Sequence, residues 1–510
     1  MKTTSRKETQ LTGAVAAQRT CRLARAINIA LIAVVGLAFL FSLAFGRSGD
    51  EQIYFAQAGI LVVCLFALAS WWWIRRTVLD PYILFLGATT AFNGGGAILQ
   101  ALGLDDSAGT LSHFSPETRL ATVFLVLLSL LSLHFGALTA IRSGRRRCGP
   151  TNDSECQAER LLRATGWVLI LVGVVPFSMI SYQAIQIADA SGYIGLYAAE
   201  QQTSFSAAPA VLAAAFVPGT LFLTASAGRR LRRAWVPSLL TLIYICVQLV
   251  LGYRSSATLS LAAYMFAFHR SVRAIPKFAS IAIGCLLVAV VFPTIAVTRG
   301  STGSDRQSMG ALYRAFSSVD NPAVAAVGEM GGTAQTIAYT MDLVPTTRPF
   351  DMGTSYLYGA LTALPNLFWD VHPSLVHNPS RWLITTVNPY IAQRFGSLGY
   401  SAFAEAYLNF GWFGAVIVPA LLGYCLGRLT LWAEGGSSAR VACASAILFF
   451  SLKYARSDIT EVVRGVVWYS AVPYFMVIAA QRRGSHRARA GPERNRFPGV
   501  WARLGREAAP

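Results

Sequence analysis

The side chains able to do chemistry in this sequence are a set of arginines and a set of acids and histidines, and the two overlap in one stretch of chain. Arg254, Lys453, Arg456 and Arg464 stand at the ends of apolar segments, while Arg299, Arg306, Arg314, Arg348, Arg381 and Arg394 fall between residues 298 and 410. A guanidinium holds phosphate through a fixed, bidentate geometry, so these arginines can grip a phosphorylated substrate or leaving group. The competing reading is that they only snorkel to lipid phosphates. The same stretch carries Asp320, Glu329, Asp342, Asp351, Asp370, His372, His377 and Glu405. Glycosyl or acyl transfer needs a group that accepts the proton of the attacking hydroxyl, and a carboxylate or imidazole can do so. His372 and His377 bracket Pro373 in a turn-rich stretch, where either could face a cleft or simply be solvated.

Other chemistries find no support. Asp370-Val371-His372 is too short for a metal site and has no second ligand cluster, so neither metal nor cofactor is expected. No glycine-rich phosphate loop precedes a helix and no Asp-x-Asp motif occurs. A reaction outside the membrane would therefore use a substrate that is already activated. The eight cysteines all lie in apolar segments or on the inward side, which rules out a disulfide framework or thiol nucleophile in the outer part.

The elements that must position these groups are membrane spans. Hydrophobic residues make up 54% of the 510 and charged residues 13%, about half the charge of an ordinary soluble domain. Candidate spans are 26–45, 53–74, 81–104, 118–141, 164–187, 209–225, 235–251, 255–268, 278–297, 411–431, 439–455 and 462–480. Segments 255–268 and 439–455 are short for a bilayer core and would reach only part-way unless they end in a cavity or the bilayer thins. The apolar run of the first span is too long for a signal peptide, so it reads as a retained helix.

Charge sets the orientation. Alternate connecting segments, including both termini, hold 31 of the 43 Lys and Arg but only 8 of the 24 acids, a net +23. The other set is −4, so the overall +19 belongs to one side of a membrane. Basic loops stay in the cytoplasm, which places both termini inside and makes a nucleic-acid partner unnecessary. The fold class is all-α: a polytopic membrane protein with about twelve transmembrane helices and one large extracytoplasmic loop.

The chain divides into a cytoplasmic segment 1–25, nine spans over 26–297, the outer loop 298–410, three spans over 411–480 and a basic, disordered cytoplasmic tail 481–510 that touches membrane lipids. The outer loop is more than five times longer than any other on its side and carries Trp369, Trp382, Tyr356, Tyr390 and Tyr400, too aromatic for a linker. Short amphipathic helices are expected around 354–368 and 379–394. Within the spans, His134 is the clearest ionisable group, with Asn28 and Asn93 as polar companions, and it reads as a hydrogen-bonded packing residue. Gly94-Gly95-Gly96 either breaks the third span or lets a neighbour pack closely.

Glu405-Ala-Tyr407-Leu-Asn409-Phe-Gly411-Trp-Phe-Gly414, leading into an apolar span, resembles the end of the periplasmic loop in Wzy-type O-antigen and exopolysaccharide polymerases. Glu329, Gly353-Thr354-Ser355-Tyr356, Pro365-Asn366, Gly192-Tyr193 with Tyr197, and Arg464-Gly465 are similar to further marks of that family. The resemblance spans roughly residues 190–470. It implies a glycosyltransferase that moves a growing glycan from undecaprenyl diphosphate to the next lipid-linked repeat unit at the outer face of the inner membrane. On this reading Arg254, Arg299, His377 and Glu405 are catalytic, and Arg348, Tyr356, Arg381, Arg394, Lys453, Arg456 and Arg464 bind substrate. A flippase and a chain-length regulator are possible partners. A glycan ligase is the alternative enzyme, and a flippase or exporter of the same lipid the alternative of another class. The long aromatic outer loop favours an enzyme.

Overall fold

The computed structural model describes residues 2–45, 49–105, 111–141, 152–200, 207–294, 310, 313, 317, 321–366, 369–393 and 397–489. It is 83% helical, with no strand among the described residues. The first half comprises α1 (Lys2–Phe45), α2 (Asp50–Arg75), α3 (Pro81–Ala101), α4 (Pro116–Ala140), α5 (Asn152–Glu200), α6 (Ala207–Ala213), α7 (Phe216–Ser226), α8 (Leu231–Val250), α9 (Arg254–Ser271) and α10 (Lys277–Leu286), which continues through a wider turn at Leu287–Val291. The second half comprises α11 (Pro322–Gly331), α12 (Ala334–Leu343), α13 (Thr354–Leu361), α14 (Pro373–Val376), α15 (Pro379–Val387), α16 (Pro389–Gln393), α17 (Ala402–Ala433), α18 (Ser438–Lys453), α19 (Thr460–Val466) and α20 (Val472–Arg489).

Local sequence starts these helices where polar caps meet apolar runs. Asp80 accepts the Ile83 amide at 3.0 Å and Pro81 opens α3, whose first turn needs no donor from it. Ser115 and Pro116 do the same for α4. Between residues 298 and 410, Asn321, His372 and Asn378 cap α11, α14 and α15, each followed by proline. The expected helices around 354–368 and 379–394 are α13 and the pair α15 and α16.

Ten helical stretches among the described residues are long and apolar enough to cross a membrane. α9 and α18, with 18 and 16 residues, fall short by that measure, and they match the two segments marked as short from sequence. Both nevertheless run between the two ends of the bundle. At one end Glu434 pairs with Arg75 and Arg270, Glu159 with Arg233, and Glu155 accepts the Ser438 amide at 2.7 Å. At the other end Arg254 pairs with Glu329, Arg348 with Asp351, and Arg119 with Asp50. Every described ion pair thus joins two segments of the same charge set.

α4 is the buried axis, with 89% of its apolar window enclosed by α1, α2, α3 and α17. α17 lies against it closely enough that a Cβ on Gly136 or Gly423 would strike the Ala420 or Leu133 carbonyl, the small-residue contact that dispersion and close approach favour between membrane helices. His134 sits in this core, 2.6 Å from the Tyr82 hydroxyl and 2.9 Å from Ser70 Oγ, a satisfied packing residue. Gly94-Gly95-Gly96 leaves α3 unbroken; Gly95 lies against the Val327 carbonyl of α11.

Several boundaries differ from those drawn on hydropathy: α1 begins at Lys2, ahead of residue 26, and α5 runs from Asn152 to Glu200, beyond 164–187 at both ends. α17 starts at Ala402, ahead of residue 411, because Ala402–Phe410 is helical but ends in a kink at Gly411, with φ 60° and ψ −142°. Only glycine adopts that conformation without strain. α20 runs on to Arg489, since a helix outlasts its apolar stretch where good helix formers such as Ala479, Ala480, Gln481 and Arg482 follow. Residues 490–510 of the tail lie outside the described residues.

Candidate active site

Arg254 opens α9 and is only 8% exposed. Its Nη1 donates to the Phe292 carbonyl at 3.1 Å and its Nη2 to Glu329 of α11. A buried guanidinium needs such a partner, because an uncompensated charge there is strongly unfavourable. Arg254, Glu329 and Arg456 share one end of a cavity of about 380 Å³. Apart from Ser255, Thr258 and Ser280, its remaining wall is apolar and follows the membrane helices: Leu84 and Phe92 of α3, Leu259 and Met265 of α9, Ile283 of α10 and Val288 beyond it. From Arg254 to Met265, α9 rises ~16 Å along the groove. The helix over 277–294 that closes one side is almost wholly uncovered by protein, with Phe278 87% exposed. The cavity is a long, mainly apolar groove whose lining includes two guanidinium groups and one carboxylate.

A second, larger cavity of about 760 Å³ has a more polar lining than the groove, alongside Ile384, Pro389 and Ala392. Asn378, Ser380, Arg381 and Thr385 face it from α15 and its cap, Gln393 from α16, Ser457 and Asp458 from the turn after α18, and Glu461 from the first turn of α19. One short segment therefore serves both cavities. Arg456 reaches the groove, its guanidinium 5.7 Å from the Phe92 ring centre, while Ser457 and Asp458 line the cleft.

That segment is held from both sides. The Arg456 carbonyl accepts the Tyr400 amide at 3.1 Å, and the Ala455 carbonyl accepts Asn93 Nδ2 at 3.2 Å. Asn93 Oδ1 in turn accepts Ser401 Oγ at 2.6 Å. The Ile459 amide donates to Glu405 Oε2 at 2.9 Å. Asn378 Nδ2 donates to Thr460 Oγ1 at 3.1 Å, and Asp458 Oδ1 accepts the Thr460 amide at 3.0 Å and its hydroxyl.

Glu405 is fully enclosed and lines neither cavity. Besides Ile459 it accepts Ser355 Oγ at 2.7 Å. Asn409, one turn on, donates to Ser355 Oγ at 2.7 Å and accepts the Gly353 amide at 2.9 Å. The Glu405–Asn409 and Gly353–Tyr356 stretches, far apart in sequence, are thus one hydrogen-bonded unit that ties α17 to α13.

The other candidates take varied positions. Arg348 makes a bidentate pair with Asp351, 2.6 and 2.8 Å from its two oxygens, and lies 4.5 Å over the Trp382 ring. Tyr356 stacks near Phe410, at 6.2 Å between centres. Arg381 lines the polar cleft. Lys453 sits over Phe449 and Phe450, 5.6 and 5.8 Å from their centres. Arg464 Nε donates to the Thr362 carbonyl at 3.0 Å, fastening α19 to the end of α13. His377 is exposed and stacks on Tyr358 at 4.0 Å. Arg299 and Arg394, with Arg306 and Arg314, lie outside the described residues. The structure therefore brings Arg254, Glu329 and Arg456 together at the groove and sets Arg381 across the turn from them, while His377 and Arg464 line neither cavity.

Asp458, Glu461, Asn378 and Ser457 were not singled out from the sequence. The signal was there in Arg456-Ser457-Asp458 and Glu461, a polar run between two apolar helices. Burial pushes the Asp458 carboxyl above its ordinary range, Glu461 adds to this, and the bonds from Thr460 oppose it. No group of three or more His, Cys, Asp or Glu able to hold a metal occurs among the described residues.

Comparison with known families gives one match: the profile of the family described as O-antigen polysaccharide polymerase Wzy covers residues 26–483. No curated protein and no solved structure matches the chain.

Proposed function

Since the chain belongs to the O-antigen polysaccharide polymerase Wzy family, a group of polymerases that join repeat units in membranes, we propose that its donor is a glycan on undecaprenyl diphosphate, used at the outer face of the bacterial inner membrane. The observation that carries this reading is the groove: an apolar channel along α3, α9 and α10 that ends at Arg254 and Arg456. A polyprenyl chain fits the apolar wall, and the diphosphate then meets two guanidinium groups. As the bond from the sugar C1 to the diphosphate oxygen breaks, negative charge grows on the leaving group. Donors already fixed in place lower that barrier because they need not reorganise. Arg254 is such a donor, held by Phe292 and Glu329.

The outer-face assignment rests on the charge alternation and on ion pairs that never cross between the two sets. Both termini are then cytoplasmic, α9 and α18 complete the crossings, and a flippase must deliver the substrate. A partner that limits chain length is compatible with the open cleft. The glycan ligase reading would use the same groove for its donor and differs only in the acceptor.

Deleting the gene tests this. Single repeat units capped on the final acceptor support the polymerase. Full-length polymer left unattached would instead identify a ligase, and repeat units trapped in the inner leaflet a flippase. Within the polymerase, Arg254→Ala should cut polymer formation on the order of 100-fold to 1,000-fold without lowering protein abundance. Unchanged polymer length in Arg254→Ala would remove that residue from the mechanism.

A further inference from the structure

On the reading above the groove takes the lipid-linked donor, which leaves the cleft beside it without an assigned role. Building on the reading above, we propose that this cleft takes the acceptor glycan and that Asp458 accepts the proton of its attacking hydroxyl.

The cleft suits a sugar chain better than a lipid. Its volume of about 760 Å³ lies within the ~300–1,000 Å³ of ligand sites. Amide, hydroxyl and guanidinium groups from Asn378, Ser380, Arg381, Thr385 and Gln393 supply the donors and acceptors that glycan hydroxyls require. The cleft and the groove share a wall, the turn after α18. Arg456 on one side and Asp458 on the other are two residues apart, and the Tyr400, Asn93 and Glu405 bonds fix the backbone between them. A sugar C1 held on the groove side and a hydroxyl held on the cleft side would meet at that wall.

Among the described acids and imidazoles at or beside the cleft, Asp458 alone combines the needed properties. Glu405 has both oxygens engaged and reaches neither cavity. His377 is exposed, stacked on Tyr358, and absent from the cleft wall. Glu461 lines the cleft but is exposed. Asp458 is 1% exposed, lines the cleft, and has one oxygen oriented by the Thr460 amide. Desolvation strengthens it as a base.

The step balances without a further reactant. The acceptor oxygen forms a bond to C1 as the bond from C1 to the diphosphate oxygen breaks. The electron pair leaves with the diphosphate towards Arg254 and Arg456. The hydroxyl proton passes to Asp458, which returns it to water in the open cleft. The charged groups around Asp458 are Glu461 in the first turn of α19, Glu405 behind Ile459, Arg381 from α15 and Arg456 on the far side of the wall.

The test uses the full chain in vesicles, supplied with the cell's own lipid-diphosphate-linked repeat unit as donor and acceptor, with polymer read as a ladder. Asp458→Asn should lower the maximal rate on the order of 100-fold or more, with half-saturation little changed. The native rate should fall as the pH is lowered and Asp458 takes up its proton, and Asp458→Asn should lack that fall. Asp458→Glu should recover part of the rate. Thr385→Trp, which fills the cleft, should raise half-saturation on the order of tenfold. A native rate and pH profile in both Asp458 variants would overturn the proton-acceptor role. Unchanged half-saturation in Thr385→Trp would overturn the cleft assignment. Failure of the native chain itself to form polymer would count against the polymerase reading instead.

Discussion

Glu405 Oε2 accepts the backbone amide of Ile459 at 2.9 Å, a bond that spans 54 residues and joins the start of α17 to the turn between α18 and α19. That turn carries Arg456 towards the groove and Asp458 towards the cleft. On the proposed reading, Glu405 acts on the site through the backbone it holds, as a positioning residue.

Glu405→Ala should leave the Ser355 hydroxyl and the Ile459 amide without their partner in a closed interior, at a cost of about 1–3 kcal/mol for each. The variant should unfold at lower temperature in detergent and lose polymer formation, and Ser355→Ala should show a smaller loss of both. A native melting temperature for Glu405→Ala would mean that the hydrogen-bonded unit contributes nothing to the fold.

Replacing Arg254 by Lys keeps the charge but cannot reproduce two donors aimed separately at Phe292 and Glu329. Arg254→Lys should therefore recover little of the polymer lost in Arg254→Ala. Full recovery would show that charge alone suffices. Polymer ladders from cells carrying each variant provide the comparison.

At Gly411 any Cβ would meet the Phe350 ring at 3.2 Å, and φ 60° with ψ −142° is closed to other residues. Gly411→Ala should destabilise the protein by about 1–3 kcal/mol from backbone strain alone. Thermal unfolding of the purified protein measures this, and a variant as stable as the native chain would show that the kink can be made without glycine.

Asp458 gives a pH signature in stability that needs no activity assay. Its folded-state affinity for a proton lies above the ordinary value of 3.8, chiefly through burial. The folded state thus binds the proton more tightly than the unfolded chain, and the resulting stability is complete below 3.8 and lost as pH rises through the folded value. Asp458→Asn should show no such loss. The variant's melting temperature should gain on the native protein's as pH is raised from about 4 to 8, across and above the ordinary carboxylate range. A gap that stays constant with pH would mean that Asp458 is not perturbed.

Sidedness can be checked with single cysteines. A cysteine at Ser380, in the cleft, should react with an impermeant thiol reagent in cells with a permeable outer layer. One at Ser438, beside Glu155, should react only after the inner membrane is opened. The reverse pattern would invert the topology and remove the lipid-linked donor from the site.

Hydropathy and charge are properties of neighbouring residues, so the sequence alone determined the helical class, the spans, the two short helices α9 and α18, and the segregation of charge between two ends. The same local reading marked Arg254, Arg456 and the long 298–410 segment that holds α11 to α16. The groove was not legible, because it is made where Arg254 meets Glu329 across 75 residues and Arg456 arrives from a helix much further along. Glu405 was legible as important, but its role was not, since a carboxylate facing a substrate and one holding an amide look the same in a sequence. Asp458 was passed over for the same reason: burial turns an ordinary turn acid into a stronger base, and only the packing of α15, α18 and α19 around it supplies that burial.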